Sequence, residues 1–96
     1  MEEVWFWYKG AQELRTGIVV KVKSITLGGR NHDLNLMFVH VLLGDRRFQF
    51  KCWRIEPLYQ KLKDGGLMTI VAAPKWFNRK EGWQKFTVSF QPIPDS

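Results

Sequence analysis

Apolar and polar positions alternate along much of this chain, and a period of two is the mark of a half-buried β-strand. The clearest run is Arg46 to Ile55. Phe48, Phe50 and Cys52 fall on one side of it, and Arg47, Gln49, Lys51 and Trp53 on the other. Gly17 to Ile25 alternates from Val20, with Val20 and Val22 on one face and Lys21 and Lys23 on the other. Asn35 to Leu43 sets Met37, Val39, Val41 and Leu43 against Leu36, Phe38, His40 and Leu42. Gly44-Asp45 lies between two such runs, so the pattern predicts a hairpin there. Trp83 to Pro92 alternates again, with Phe86, Val88 and Phe90 inward and Lys85, Thr87 and Ser89 outward. Leu67 to Ala73 is a continuous apolar run bounded by Gly and Pro, and reads as a buried strand. Val4 to Tyr8 is a strand-like run that is almost wholly apolar or aromatic, ended by Gly10.

One segment breaks the period. In Glu56 to Asp64, Leu58 and Leu62 stand four apart with Tyr59 beside them, and Pro57 suits a first helical turn. A short amphipathic helix is expected, stopped by Gly65-Gly66. Glu13 to Thr16 reads as a turn. Thr26 to Asp33, with Gly28, Gly29, Asn31 and Asp33, reads as a loop, and so does Lys75 to Trp83. The order is strand, strand, strand, helix, strand, strand, preceded by the aromatic strand. An all-β class follows, specifically the five-stranded oligonucleotide-binding (OB) barrel with one short helix between its third and fourth strands. An SH3-like barrel is the competing architecture. The 96 residues suffice for one domain, with a barrel core over 17–92 and an N-terminal extension over 1–16.

Charge changes the picture more than composition does. The chain is 45% hydrophobic, near the globular average, but its formal net charge is +6. Residues 46–85 carry ten basic side chains and three acidic ones, a balance of +7 that leaves −1 for the rest. That segment also holds Trp53, Trp76 and Trp83 out of five Trp in all. Basic side chains interleaved with aromatic rings suit a charged polymer with stackable bases. The alternative reading of the charge is a solubilising surface, and of the rings, core filler.

The candidate binding residues form three groups. Arg47, Gln49, Lys51 and Trp53 share the polar face of one strand, with Phe38 and His40 beside them across the hairpin. Trp76, Phe77, Arg79, Lys80, Trp83 and Lys85 cluster at the last loop and the start of the last strand. Lys21, Lys23 and Arg30 form a weaker third group. Trp5, Phe6, Trp7 and Tyr8 are set apart as candidates for core packing or for an interface, through a homodimer or another protein partner. Catalysis finds little support. His32 and His40 are the two histidines, Cys52 is the one cysteine, and neither a metal-ligand spacing nor a triad pattern joins them. Gly28-Gly29-Arg30 is too short for a phosphate-binding loop, and the scattered acids do not resemble a nuclease metal site. No cofactor and no metal are expected.

The run Phe50-Lys51-Cys52-Trp53-Arg54, the Leu58 to Lys63 helix, Gly65-Gly66 and the apolar strand after it resemble single-stranded DNA-binding proteins of the OB class. The resemblance covers residues 17–92 at the level of pattern, and the Lys75 to Trp83 loop is similar in place and character to that family's hairpin between strands 4 and 5. The family's bacterial members end in a long tail with an acidic tip. Here Pro92-Ile93-Pro94-Asp95-Ser96 is short, which points to a small phage, plasmid or archaeal type of member. The resemblance implies non-catalytic binding of single-stranded DNA, with RNA as the other substrate, in replication, recombination or repair. The competing function is a protein-interaction module on the same barrel. No run approaches the ~20 apolar residues of a membrane-spanning helix and no secretory leader pattern opens the chain, so a cytoplasmic, nucleoid-associated protein is expected.

Overall fold

The computed structural model describes residues 1–7, 13–28, 35–74 and 82–93. Among the described residues there are six strands and one helix: β1 (Glu2–Trp7), β2 (Val19–Leu27), β3 (Leu36–Leu43), β4 (Arg46–Trp53), α1 (Glu56–Leu62), β5 (Gly66–Ala72) and β6 (Trp83–Gln91). The strands close into a barrel in the order β1-β4-β3-β2-β5-β6. The all-β barrel with one helix before its penultimate strand is as expected, but the strand count is six. The aromatic N-terminal segment is a stave of the barrel, not an extension of it.

The insertion of β1 has a geometric consequence. It pairs antiparallel with β4 on one edge and with β6 on the other. β4 and β6 therefore run parallel to each other, and β1 lies between them. Every ladder in the barrel is antiparallel as a result. Antiparallel pairing is slightly stronger per residue than parallel, and closure gives each strand a neighbour on both sides, although β1 meets β4 only at Trp5 and Phe6.

The core follows the alternation. Val4 and Phe6 of β1, Met37, Val39 and Val41 of β3, Phe48, Phe50 and Cys52 of β4, and Phe86, Val88 and Phe90 of β6 are all buried. The larger rings meet at angles that suit their quadrupoles. Phe50 and Phe86 lie edge to face at 5.4 Å, and Phe6 lies tilted 5.0 Å from Phe50. In β5 only alternate residues point inward, so the apolar run is not buried throughout. Met68 and Ile70 are buried, while Leu67 and Val71 are half-buried on the other face.

Two irregularities lay beyond reading from the alternation. β2 slips register between Val22 and Ser24, and β5 and β6 slip between Ile70 and Ala72. Such bulges bend and twist a strand locally. The first lets β2 run on through Thr26 and Leu27, where a loop was expected, paired with Phe38 and Met37.

The helix packs against β2 and β6, with Leu58 and Leu62 buried. Pro57 sits in its first turn, where no intrahelical N–H bond is lost. Glu56, also in the first turn, accepts hydrogen bonds from Gln60 and Arg54, which hold its carboxyl below the usual range. Gly66 is needed where the helix returns to the barrel. A Cβ there would lie 2.6 Å from the Gln91 carbonyl oxygen and from Leu62 Cδ2. Among the described residues, no helix is long and apolar enough to cross a membrane.

Candidate nucleic-acid interface

Register decides which outward side chains become neighbours. β3 sets Phe38 opposite Lys51 of β4. Lys51 is in turn opposite Trp5 of β1, and Trp5 is opposite Lys85 of β6. One row across four strands thus reads Phe38, Lys51, Trp5, Lys85, aromatic and lysine residues in alternation. Neighbouring strands in a sheet are about 4.8 Å apart, so like groups in the row recur roughly every two strand spacings.

More rings flank this row. Trp7 is opposite Trp83, and their indoles meet edge to face at 5.3 Å. Trp7 is half exposed and lies against Gly82, whose φ of +74° and lack of a side chain make room for it. On the other side of the row Trp53 is opposite Leu36 and is 60% exposed. A shallow cleft of about 390 Å³ is lined by Trp5, Leu36, Lys51, Cys52, Trp53 and Trp83.

Lys51 is the centre of this face. Its Nζ lies 3.9 Å from the centroid of the Trp83 ring, reaching past β1 to do so. A cation over an indole face is a favourable electrostatic contact, and at a partly exposed site it is worth about 0.5–1 kcal/mol. Lys85 is held less firmly, 3.4 Å from the exposed carboxylate of Glu3. Arg54, next to Trp53, is engaged at the helix start, paired with Glu56 at 2.7 Å and 5.5 Å from the Tyr59 ring centroid. Cys52 points into the core. Burial, and then the charge of Glu2, push its thiol up to about 11, which keeps it protonated and unreactive at neutral pH.

Most of the remaining candidates line a second groove, together with Val41, Leu42 and Phe48. Gln49 of β4 is opposite His40 of β3, which is opposite Ser24 of β2. Thr26 Oγ1 and His40 Nε2 are hydrogen-bonded at 3.0 Å. With Lys23 and Arg47 these line a groove of about 530 Å³. Arg47 lines it at the opposite end of β4 from Trp53. Lys21 is separated from the aromatic face altogether. It is exposed on β2, opposite Leu42 and Leu67, and β2 lies three staves from β1 in either direction around the barrel.

The structure therefore brings Phe38, Lys51, Trp53, Trp83 and Lys85 to one face and sets Arg47, Gln49, His40 and Lys23 beside it. Tyr8, Arg30, Trp76, Phe77, Arg79 and Lys80 lie outside the described residues. The N-terminal candidates divide. Phe6 is buried among the core rings and is not at a surface available to a partner. Trp5 and Trp7 point outward, and their strand is paired with β6 from Glu2 to Trp7 and with β4 at Trp5 and Phe6. These two were missed as members of the basic aromatic face. The alternation of Val4 and Phe6 against Glu3, Trp5 and Trp7 marks their side of the strand, but their neighbours come from β4 and β6. Among the described residues no three His, Cys, Asp or Glu side chains gather as metal ligands would. Searches against family models, curated proteins and solved structures return no match.

Proposed function

We propose that this chain binds single-stranded nucleic acid, DNA being the substrate its resemblance implies, and carries out no reaction on it. The observation that carries the reading is the row Phe38, Lys51, Trp5, Lys85, flanked by the exposed indoles of Trp53 and Trp7. Rings offer stacking platforms to unpaired bases, each worth roughly 1–3 kcal/mol by alanine substitution. Lysines between the rings neutralise phosphates and release counterions. Duplex DNA keeps its bases stacked inside and offers no face to an indole, so discrimination against duplex follows from the same chemistry. The second groove, beside the row, supplies Lys23, Arg47 and the hydroxyls of Ser24 and Thr26 for the backbone of the same strand. The protein is expected to serve replication, recombination or repair, wherever unpaired DNA is held, and to work in the cytoplasm or nucleoid.

A titration of Trp fluorescence with a thymidine oligonucleotide, against matched duplex and RNA, tests this at two salt concentrations. Strong quenching by the single strand that weakens with salt and is largely absent with duplex is expected. An unchanged spectrum and unchanged mobility at low salt sink the reading. Equal binding of the RNA oligonucleotide would widen the substrate class without altering the mechanism.

A second reading, a protein-contact module, is favoured by one feature. Met1, Trp53 and Ile55 are exposed around a groove of about 250 Å³ that also includes Glu2, Glu3 and Leu58. Apolar side chains rimmed by two acids fit a protein partner better than a phosphate. Oligonucleotide binding no tighter than millimolar, together with self-association, would support it.

A further inference from the structure

We infer that the inserted strand β1 is itself part of the nucleic-acid surface: Trp5 stacks a base, Lys85 contacts an adjoining phosphate, and Glu3 restrains that contact. This rests on the single-strand reading above and adds a path to it. β1 is paired with β6 from Glu2 to Trp7 and with β4 at Trp5 and Phe6, so its outer face is the surface it presents to a ligand, and Glu3, Trp5 and Trp7 point from that face.

Trp5 occupies an unusual position there. A lysine faces it in register on each side, Lys51 on β4 and Lys85 on β6. A base in a single strand has a phosphate before it and another after it. The Lys51 ammonium reaches past β1 to the Trp83 ring, whose residue is opposite Trp7, and the Lys85 ammonium lies by Glu3, so one cation sits toward each end of β1 from Trp5, which matches that order of groups for a strand laid along β1. Charge also selects the occupant. The row itself carries Lys51 and Lys85 and no acid; Glu3 lies 3.4 Å from Lys85, and Glu2 and Glu3 line the neighbouring groove with Trp5. A row with two lysines and no acid suits an anionic polymer over a second copy of the same row. The Glu3 carboxylate competes with phosphate for Lys85, so it lowers affinity instead of contributing to it.

The test uses the full chain and an oligothymidylate, with affinity measured across a salt series for the wild type, Trp5→Leu, Lys85→Gln and Glu3→Gln. Trp5→Leu is expected to weaken binding about 5- to 150-fold, the loss of one stacked base. Lys85→Gln is expected to flatten the slope of log affinity against log salt by about 0.7, the loss of one phosphate contact on a single strand. Glu3→Gln moves the other way, giving tighter binding, an outcome that general damage to the fold would not produce.

Wild-type binding with unchanged affinity and slope in all three variants would place the ligand elsewhere and overturn the inference, leaving the single-strand reading intact. No binding by the wild type at low salt would overturn both. A wild-type dimer in sedimentation that Trp5→Leu dissociates, with binding unchanged, would make this face a contact between copies and overturn it as well. Should Trp5→Leu fail to fold by circular dichroism, Lys85→Gln and Glu3→Gln decide the matter, since both side chains are exposed.

Discussion

Replacing Gly82 with alanine probes the contact that holds Trp7 at the edge of the aromatic face. Two costs arise from the geometry. The first is backbone: Gly82 has a φ of +74°, where an L-residue is strained by roughly 1–2 kcal/mol. The second is steric: the new Cβ would lie 2.6 Å from two carbons of the Trp7 indole. Trp7 is half exposed, so its ring can swing into solvent and relieve the clash without unfolding the barrel. What it then forfeits is the edge-to-face contact with Trp83, worth about 0.5–1.5 kcal/mol. Gly17→Ala and Gly44→Ala isolate the first cost. Both glycines have positive φ, +93° and +61°, and a Cβ at either would meet no atom within 4 Å. Gly82→Ala should therefore be less stable than these two by about 1 kcal/mol, and less stable than the wild type by roughly 2–3 kcal/mol. In a domain of this size 1 kcal/mol corresponds to about 4–8 °C in melting temperature. Thermal and denaturant unfolding would measure the difference, with near-ultraviolet circular dichroism reporting the indole pair in the native state. If Gly82→Ala is no less stable than the two controls and its near-ultraviolet spectrum is that of the wild type, Trp7 does not rest on Gly82 and the reasoning fails.

Three further outcomes are expected. Lys51→Met keeps the apolar stem but takes the cation from Trp83, so stability should fall by less than about 1 kcal/mol, while the salt slope for a single strand drops by about 0.7; equal slopes for the two proteins would remove Lys51 from the phosphate contacts. Cys52 is raised from 9.0 to about 11 in the fold, so its contribution is complete below pH 9 and is lost as pH rises toward 11. Urea unfolding of the wild type compared with Cys52→Val should show an extra loss of roughly 3 kcal/mol across that window, and parallel pH profiles would show that the thiol is not desolvated. Phe50→Ala opens a cavity between Phe6 and Phe86 and should cost about 3–5 kcal/mol, a large share of the ~5–15 kcal/mol typical of a domain; a midpoint shift in guanidinium smaller than 1 kcal/mol equivalent would argue against a packed aromatic core.

Local pattern was enough to assign faces. In β4 the alternation alone separates Phe48, Phe50 and Cys52, which are buried, from Arg47, Gln49, Lys51 and Trp53, which are not. It does the same for Phe86, Val88 and Phe90 against Lys85 in β6. Leu58 and Leu62, with Pro57 ahead of them, likewise marked the helix. These features are legible because the side-chain period and the proline geometry act over a few residues and do not depend on the partner strand.

Pairing is another matter. A period of two states which side of a strand a residue is on, but not which strand lies beside it. Trp5 could be read as outward from Glu3, Val4 and Phe6, yet nothing near it in the chain announces Lys51 and Lys85 as its neighbours. The bulge after Val22 is equally silent, because an extra residue in one strand is defined only against its partner. The sequence by itself determined an all-β chain with one short helix, a basic aromatic surplus and the inward side of each strand. Only closure of the barrel, with β1 between β4 and β6, decided that rings and lysines far apart in the chain share one face. The physical reason is that register comes from long-range hydrogen bonding and from the fit of the whole core, which no short window of residues contains.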